Sequence, residues 1–394
     1  MGNVNILHLT PYYAPAYAFG GVVQAVEGMT WALAQRGHTV TVLTTDALDR
    51  EARYEGVSDE MRDGVRVVRT ENIVYALRGR FNLSTPRRMR RLAEKLLADV
   101  AVLHIHEFRT TENLIVTPIA HRMNIPIVLS PHGTLAAHTG RSRLKIVWDK
   151  LLSPAVAHRI DHLIGLTQDE ADEAAQFWRR FGRRREPLPT SVVPNGINLD
   201  DFAKLPDGAA FRARYGLGEG AVCLFMGRLH RRKGVDILIR AFKAADIPHT
   251  RLVIVGPDEG MRGEIAPLLD ERIVLTGYLT GDDRLAAYAA ADMLALPAVG
   301  EGLPMVVLEA MGAGLPVIIS PECHLPQVSE VGAGLEVEPT VAAMTIALRE
   351  LLTDADKRAS MGRAGQQLVR EHFTWGAVAG QLEQIYQTLE RQRH

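Results

Sequence analysis

Short apolar runs alternate with longer amphipathic stretches along the whole chain of 394 residues. The runs that predict strands are residues 4–9, 39–44, 100–105, 126–129 and 162–166, followed by 222–226, 251–255, 273–275, 293–296 and 316–319. The stretches with helical periodicity include residues 22–36, 87–98, 168–181, 235–245 and 282–290. Strands that alternate with helices form parallel sheets covered on both faces, so the pattern predicts an α/β protein.

The two halves of the chain follow the same plan. Each opens with a strand, a glycine-bearing loop, a helix and a second strand. We therefore predict two doubly wound Rossmann-like domains that face each other across a cleft. The first covers residues 1–195, the second covers residues 196–372, and a helix in residues 373–394 packs back on the first. Doubly wound sheets bind ligands beyond the carboxyl ends of their strands, so we expect the active site in the cleft.

Composition and charge add further limits. Hydrophobic residues make up 47% of the chain, enough for two cores, and a net charge of −1 provides no field that would attract nucleic acid. Residues 1–195 carry a net charge of +5 and the rest of the chain −6. The two cysteines lie far apart along the chain, which indicates reduced thiols rather than a disulfide. Neither a signal peptide nor a membrane span is evident. We expect a cytoplasmic protein.

The strongest chemical signal lies in residues 301–314. Pro304 suits the first position of a helix, Gly314 marks its end, and Glu309 is the only polar side chain between them. A lone carboxylate in a buried helix needs a partner, and the two vicinal hydroxyls of a nucleotide ribose can both donate to it. The alternative is a buried helix whose glutamate pairs with an arginine.

The residues before this helix extend the predicted site. The turn at Gly302 and Leu303 leaves the helix N-terminal amides, from Met305 onward, free to receive a phosphate with the help of the helix dipole. Glu301 lies just outside the helix, where it would face sugar hydroxyls.

A basic loop follows the strand predicted at residues 222–226. Arg228 and Lys233 flank this loop before the next helix, and no glycine lies directly before Lys233, so the loop is not a Walker motif. A diphosphate leaving group develops negative charge as the glycosidic bond breaks, and fixed cations at that point stabilise the transition state. The pattern therefore predicts phosphate contacts.

These residues resemble the retaining GT-B enzymes of glycosyltransferase family 4. The resemblance is carried by Arg228 and Lys233, by Glu301 and Glu309 eight positions apart, by Gly20-Gly21 before the first helix, and by residues 130–134, 194–196 and 373–375. It covers essentially the whole chain. Asn198 and Arg232 depart from the family pattern, and Arg232 in place of the usual glutamate would slightly alter phosphate affinity.

The resemblance implies a role for each matching residue. Glu309 would bind the ribose, Glu301 the transferred sugar, and Arg228 with Lys233 the diphosphate. His132 would lie near the anomeric carbon or O6 of the sugar. The other donor-binding residues that the resemblance implies are Gly20 and Gly21 at the β-phosphate, Tyr278 and Leu279 at the base, and Gly302, Leu303, Pro304 and Met305 at the helix N-terminus.

Two further features have plainer interpretations. His104 and His106 alternate at a strand end, but no other ligand cluster follows, so we predict no metal and no cofactor. Residues 78–95 hold seven basic side chains and one acidic, with a helical apolar face. This stretch could seat the first domain on the inner face of an anionic membrane, but a solvated basic face is the favoured interpretation, and the same applies to residues 179–185.

The predicted function is that of a retaining, metal-independent hexosyltransferase of polysaccharide, glycolipid or other glycoconjugate biosynthesis. It would move a sugar from a nucleotide diphosphate to a sugar or lipid-linked acceptor. A nucleotide-sugar epimerase of the same fold and a catalytically silent interaction protein are the alternatives.

Overall fold

The computed structural model describes residues 3–135, 142–181 and 188–393, and the chain divides into two compact units. The first unit comprises Met1–Gly196 and Trp375–His394, and the second comprises Ile197–Thr374. These limits differ by one and two residues from the domain boundaries expected from the sequence. Residues 182–185 of the second basic stretch lie outside the described residues.

The first unit is built on a sheet of eight strands. They are β1 (Asn5–Leu9), β2 (Thr39–Thr45), β3 (Asp59–Arg62), β4 (Val65–Thr70), β5 (Val102–His106), β6 (Ile127–Ser130), β7 (His162–Gly165) and β8 (Thr190–Val192). Their order is β3-β4-β2-β1-β5-β6-β7-β8, and all neighbours are parallel except β3 and β4. The sequence pattern missed β3, β4 and β8, because β3 contains three charged residues, β4 carries two arginines, and β8 has three residues at the sheet edge.

Helices cover both faces of this sheet. They are α1 (Gly21–Gln35), α2 (Ala76–Phe81), α3 (Met89–Leu96), α4 (Thr111–Arg122), α5 (Ser142–Leu151), α6 (Ser153–Ala157) and α7 (Gln168–Arg179). The Oγ1 atoms of Thr110 and Thr167 accept the N–H groups of Asn113 and Glu170 and cap α4 and α7.

The second unit is built on a fully parallel sheet of six strands. They are β9 (Val222–Met226), β10 (Arg251–Val255), β11 (Ile273–Gly277), β12 (Met293–Leu296), β13 (Val317–Ile319) and β14 (Gly334–Glu336), in the order β11-β10-β9-β12-β13-β14. Its helices are α8 (Asp200–Ala203), α9 (Gly208–Tyr215), α10 (Val235–Ala245), α11 (Arg262–Ile265), α12 (Gly281–Ala290), α13 (Met305–Gly312), α14 (Gln327–Glu330), α15 (Val341–Thr353) and α16 (Ala355–His372).

Both sheets reverse their strand order at the first strand of the unit. β1 lies between β2 and β5, and β9 lies between β10 and β12. This is the doubly wound arrangement, so the predicted fold class of two Rossmann-like domains is confirmed. The reversal opens a crevice at the carboxyl ends of the strands, and ligands of this fold bind there.

The last helix, α17 (Trp375–Arg393), packs on the first unit. Glu383 of α17 accepts hydrogen bonds of 2.6 and 2.7 Å from Arg36 and lies 2.8 Å from His38 Nε2. Tyr386 lies 2.6 Å from His104 in the core of the sheet. Among the described residues, no helix combines the length and the apolar content needed to cross a bilayer.

Candidate active site

The second unit brings two predicted charged residues together at the ends of its central strands. Lys233 follows β9 and Glu301 follows β12, and Lys233 Nζ lies 2.8 Å from Glu301 Oε1. The side chains are only 14% and 17% exposed, so the pair is mostly removed from water. β9 and β12 flank the point where the strand order reverses. The pair therefore occupies the position where this fold binds ligands.

Arg228 also pairs with a carboxylate, but closer to the surface. Its Nη1 lies 3.0 and 2.9 Å from the two carboxylate oxygens of Glu259, a residue that the sequence analysis did not identify. The side chains of Arg228 and Glu259 are 61% and 39% exposed. An exposed pair of this kind is weak, so an incoming phosphate could compete with Glu259 for Arg228.

Arg232 holds the loops after β9 and β12 together. Its guanidinium donates to the carbonyl oxygen of Gly300, and its own carbonyl accepts the N–H of Val299 at 2.8 Å. Gly234 permits the close approach, because it adopts φ 66° and a Cβ there would lie 2.0 Å from the carbonyl oxygen of Pro297. These contacts give Arg232 a structural role between the loops.

The helix after β12 begins one residue later than predicted. Pro304 has an extended backbone, with ψ 112°, and is the N-cap rather than the first helical residue of α13. Gly302 is exposed, Leu303 is buried and Met305 is half-buried. The first N–H groups of a helix lack intrahelical acceptors. The N-terminus of α13 can therefore bind an anion, which is the role predicted for it from the sequence.

Glu309 of α13 pairs with an arginine, as the alternative interpretation of this helix required. Its Oε2 accepts hydrogen bonds of 2.5 Å from Arg284 Nη1 and 2.7 Å from the Tyr288 hydroxyl. Burial and the nearby charge of Glu309 raise the pKa of Tyr288 well above its ordinary value, so Tyr288 remains a donor. The Glu309 and Arg284 side chains are 12% and 30% exposed, so the pair is not sealed from solvent.

Both hydrogen bonds to Glu309 reach the same oxygen. Arg284 and Tyr288 share Oε2, so the carboxylate is fixed in orientation while Oε1 can still accept a further donor. Arg284 and Tyr288 lie four residues apart on α12 and therefore on one helical face. That spacing was visible in the sequence, but their partner on α13 was not.

The segment predicted to contact the base follows β11. Gly277 adopts φ 78°, the Tyr278 side chain is exposed, and Leu279 is buried. The left-handed backbone at Gly277 turns the chain so that Tyr278 projects into solvent while Leu279 anchors the segment.

His132 lies in a strained turn after β6. Its φ of 53° is left-handed, which is uncommon for a residue other than glycine and occurs often at functional sites. Its Nε2 lies 2.9 Å from His106 Nδ1, and burial lowers the pKa of His132 to about 4. His132 is therefore a neutral imidazole at physiological pH.

His8, His104 and His106 are fully buried on one face of β1 and β5. One ring nitrogen from each lies within 4.8 Å of the others. His104 lies within hydrogen-bond distance of the Tyr386 and Ser130 hydroxyls, at 2.6 and 2.8 Å. The sequence analysis paired His104 with His106 but did not identify His8.

A carboxylate lies beside the histidine loop. Glu170, at the start of α7, accepts the Gly133 N–H at Oε1 (2.5 Å) and the Leu166 N–H at Oε2 (2.7 Å). The sequence analysis did not identify Glu170, because nothing along the chain links it to Gly133. These bonds hold the loop that carries His132.

Gly20 and Gly21 precede and begin α1. Gly20 adopts φ 92°, and a Cβ at either position would meet no atom within 4 Å. The backbone of the first turn of α1 is thus open to an approaching group, and the phosphate contact that the resemblance implies there stays a prediction.

Comparison with known proteins identifies the family. The family profiles "Glycosyltransferase Family 4" and "Glycosyl transferases group 1" match residues 19–201 and 220–354. The GDP-mannose-dependent alpha-(1-6)-phosphatidylinositol monomannoside mannosyltransferase of Mycolicibacterium smegmatis is 34% identical over an alignment of 278 residues that covers 64% of this chain and 72% of that enzyme. The chain belongs to glycosyltransferase family 4.

Other similar proteins match nearly the whole chain. The glycogen synthase of Mycobacterium tuberculosis is 27% identical over 406 residues, covering 96% of this chain and 93% of that enzyme. Among solved structures, Anabaena Alr3699/HepE in complex with UDP and glucose superposes with a TM-score of 0.73 at 18% identity and covers 98% of this chain and 100% of that chain. The predicted GT-B fold is confirmed.

The basic helix of this family 4 chain is an ordinary domain helix. In α3, Met89 and Ala93 are buried, and Leu92 packs against the same core. Arg78 is buried too and lies 3.6 Å from Glu112, so it does not belong to the solvated basic face. The apolar face of α3 is therefore occupied by the protein core and is not available to a membrane.

Proposed function

We propose that this glycosyltransferase transfers a hexose with retention of configuration, and without a metal ion, from a nucleotide diphosphate to a hydroxyl of a sugar or lipid-linked acceptor. The second unit would bind the donor. The observation that carries the proposal is that Lys233, Glu301 and α13 converge at the carboxyl ends of β9 and β12, the reversal point of the sheet.

The diphosphate would bind to fixed positive charge. Arg228, Lys233 and the N-terminus of α13 would surround it, and its charge would replace the carboxylates that hold the two cations in the structure. Glu301, released from Lys233, would accept hydrogen bonds from sugar hydroxyls. This exchange would couple diphosphate binding to recognition of the sugar.

The ribose would bind at Glu309. A diol would donate to Oε1, while Arg284 and Tyr288 keep Oε2 and fix the carboxylate plane. The arginine pairing is thus compatible with ribose binding. In this role Arg284 and Tyr288 are positioning residues.

The same cations would stabilise the negative charge that develops on the leaving diphosphate. Side chains of this protein would thus stabilise the transition state of bond cleavage. The acceptor hydroxyl would then attack from the face that the diphosphate vacates. Glu170 is a carboxylate bound to the histidine loop, but both of its oxygens accept backbone N–H groups. This supports a mechanism without a glycosyl-enzyme intermediate.

Calorimetric titration tests the proposal. We expect one of UDP, GDP, ADP and dTDP to bind to the full-length protein with an affinity at least about tenfold above the others, with EDTA present throughout. The corresponding sugar nucleotides would then be screened for transfer, and NMR of the product would report the anomeric configuration.

Three results would contradict the proposal. They are binding of no nucleotide, an absolute requirement for a divalent cation, and product with inverted configuration. Conversion of UDP-N-acetylglucosamine without acceptor would indicate an epimerase instead.

A further inference from the structure

Three histidines of the first unit form a continuous hydrogen-bond chain. His8 of β1 lies 2.9 Å from His106 of β5 through Nδ1 and Nε2, and His106 lies 2.9 Å from His132 through Nδ1 and Nε2. Adjacent rings are stacked, with interplanar angles of 8° and 28°. The chain runs from a fully buried strand to the loop that carries the predicted active-site histidine.

Burial keeps all three rings neutral. Desolvation lowers the pKa of His8 to about 3 and that of His132 to about 4, and the pKa of His106 lies well below its ordinary value. The polar and titratable groups that accompany the chain are His104, Ser130, Tyr386 and His162. None of these four is an acid, and the nearby acids Glu107 and Glu170 accept hydrogen bonds from the Tyr12 hydroxyl and from the N–H groups of Gly133 and Leu166.

The number of protons restricts the chain to two arrangements. A neutral imidazole carries one N–H, so His106 can donate to His8 or to His132 but not to both. If His106 donates through Nδ1, then His8 must donate to it through Nδ1, and the proton of His132 must lie on Nδ1. If His106 donates through Nε2, all three protons lie on Nε2. The three rings must therefore carry the same tautomer.

The two ends of the chain favour the Nδ1 arrangement. Among the described residues, His8 Nε2 and His132 Nδ1 are buried and have no hydrogen-bond partner. An unpaired N–H deep in a core is rarer than an unpaired acceptor, so the bare nitrogen belongs at His8, which is 0% exposed in its strand. The remaining N–H then lies at His132, in a half-buried loop where a ligand can supply the acceptor.

We infer that His8 and His106 are positioning residues that lock His132 as the Nδ1–H tautomer, so that His132 acts as a neutral hydrogen-bond donor to an oxygen of a bound substrate. The ligand half of this inference rests on the proposed function, whereas the tautomer lock does not. Glu170 fixes the backbone of the loop separately through Gly133. The chain thus sets which nitrogen carries the proton, while Glu170 sets the position of the loop.

The same nitrogens offer a metal only poor coordination. Both ring nitrogens of His104 and both of His106 already lie within hydrogen-bond distance of a partner, as does Nδ1 of His8.

Imidazole nitrogen NMR tests the inference directly. Full-length protein labelled with ¹⁵N-histidine would be recorded by two-bond ¹H–¹⁵N correlation, with assignments from His8→Phe, His106→Phe and His132→Phe. We expect His8, His106 and His132 to be neutral at pH 7 and to carry the proton on Nδ1. His106→Phe should convert His132 to a mixture of tautomers, whereas His106→Gln, which keeps a donor and an acceptor, should preserve more of the Nδ1–H form.

Two further variants separate the lock from a general effect on folding. His8→Phe breaks the chain at its far end and should also mix the tautomers of His132, even if His106→Phe does not fold. His162→Asn alters a histidine outside the chain, on β7, and should leave His132 unchanged. With the nucleotide sugar selected by calorimetry, His106→Phe should lower kcat by about tenfold and change KM by less than about threefold.

Several results would overturn the inference. They are different tautomers within the chain, protonation of all three rings on Nε2, a doubly protonated ring at pH 7, stoichiometric zinc in the purified protein, or an unchanged His132 spectrum in both His8→Phe and His106→Phe. Failure to bind any nucleotide would contradict the proposed function but would leave the tautomer measurement to decide this inference on its own.

Discussion

Lys233 and Arg228 differ sharply in how strongly each is held by its carboxylate. The Lys233–Glu301 pair is mostly removed from water, whereas Arg228 and Glu259 are both exposed. Exposed pairs contribute little because solvent screens them, so Lys233 interacts with a nearby negative charge more strongly than Arg228 does. Lys233 is therefore the cation whose loss should matter most for leaving-group stabilisation.

Replacement of Lys233 by alanine should lower turnover by about a hundredfold, which corresponds to about 2.7 kcal/mol of transition-state stabilisation. Steady-state kinetics with the selected nucleotide sugar measure this effect. Arg231→Ala is the matched control, since Arg231 lies in the same turn but is 77% exposed and pairs with Glu264. Wild-type turnover in Lys233→Ala would count against the assigned site.

Much of the donor half of the site could be predicted residue by residue. Lys233, Glu301 and Glu309 are recognisable because cations and carboxylates at strand ends, or alone in an apolar helix, are costly unless they serve a ligand or a partner. Glu259 and Arg284 could not be found in this way, since an exposed acid and a helix-surface arginine are common in any sequence.

At the scale of helices and strands, a few contacts near the ends of these elements hold neighbouring elements together. The loop from β9 to α10 touches the end of β12, and Gly234 has no room for a side chain at that contact. The helix α17 is joined to α1 and β2 by a carboxylate, Glu383, that receives two hydrogen bonds from Arg36. Each contact can be tested by a single substitution.

Alanine at Gly234 should destabilise the protein far more than alanine at Gly216. The two glycines have φ of 66° and 63°, so both substitutions carry a similar left-handed penalty of about 1–2 kcal/mol. Only at Gly234 would the new Cβ meet backbone, 2.0 Å from Pro297, whereas Gly216 has open space. Urea unfolding should show an additional loss of about 2 kcal/mol or more for Gly234→Ala. Equal losses would contradict the contact.

Glu383→Gln should remove a pH-dependent part of the stability. Hydrogen bonds from Arg36 lower the pKa of Glu383 below its ordinary 4.5, so the folded state binds fewer protons than the unfolded chain at acid pH. The stabilisation is therefore complete above about pH 5 and is lost as pH falls through the folded pKa. Because Arg36 is 38% exposed, we expect only about 1–2 kcal/mol.

Unfolding free energies of the wild type and Glu383→Gln, measured in urea from pH 3 to 7, give the test. The two curves should be separated at pH 7 and approach each other as pH falls below about 4.5. Glu371→Gln alters an exposed glutamate of α16 and serves as the control with no such separation. A constant difference at all pH values would show that the lost contact is not governed by the ionisation of Glu383.

At the scale of the whole molecule, the donor is expected to interact chiefly with one unit. Lys233, Glu301, Arg284 and Glu309 all belong to Ile197–Thr374, and the fold of that unit assembles them without any residue of the other. Binding of a nucleoside diphosphate should therefore leave a local footprint within the intact chain.

Hydrogen exchange of the full-length protein with saturating nucleoside diphosphate should show this footprint. We expect slower exchange in peptides that cover residues 227–234 and 298–309, because ligation stabilises the folded state by about 2.7 kcal/mol at a hundredfold excess over Kd. Peptides covering β3, β4 and α3 of the first unit serve as the internal reference. Uniform protection across the chain, or none in the two named segments, would contradict the donor assignment.

The sequence by itself determined the fold class, the two-unit plan and the loops that follow β9 and β12, because hydrophobic periodicity and glycine turns are local consequences of backbone geometry. It did not reveal β3, β4, β8 or β14, whose short or charged strands are stabilised by neighbours that are distant along the chain. Only the tertiary structure decided which side chains meet: His8 with His106, Gly133 with Glu170, and Glu309 with Arg284. Such pairings join strands and helices through packing, and spacing along a chain carries no information about them.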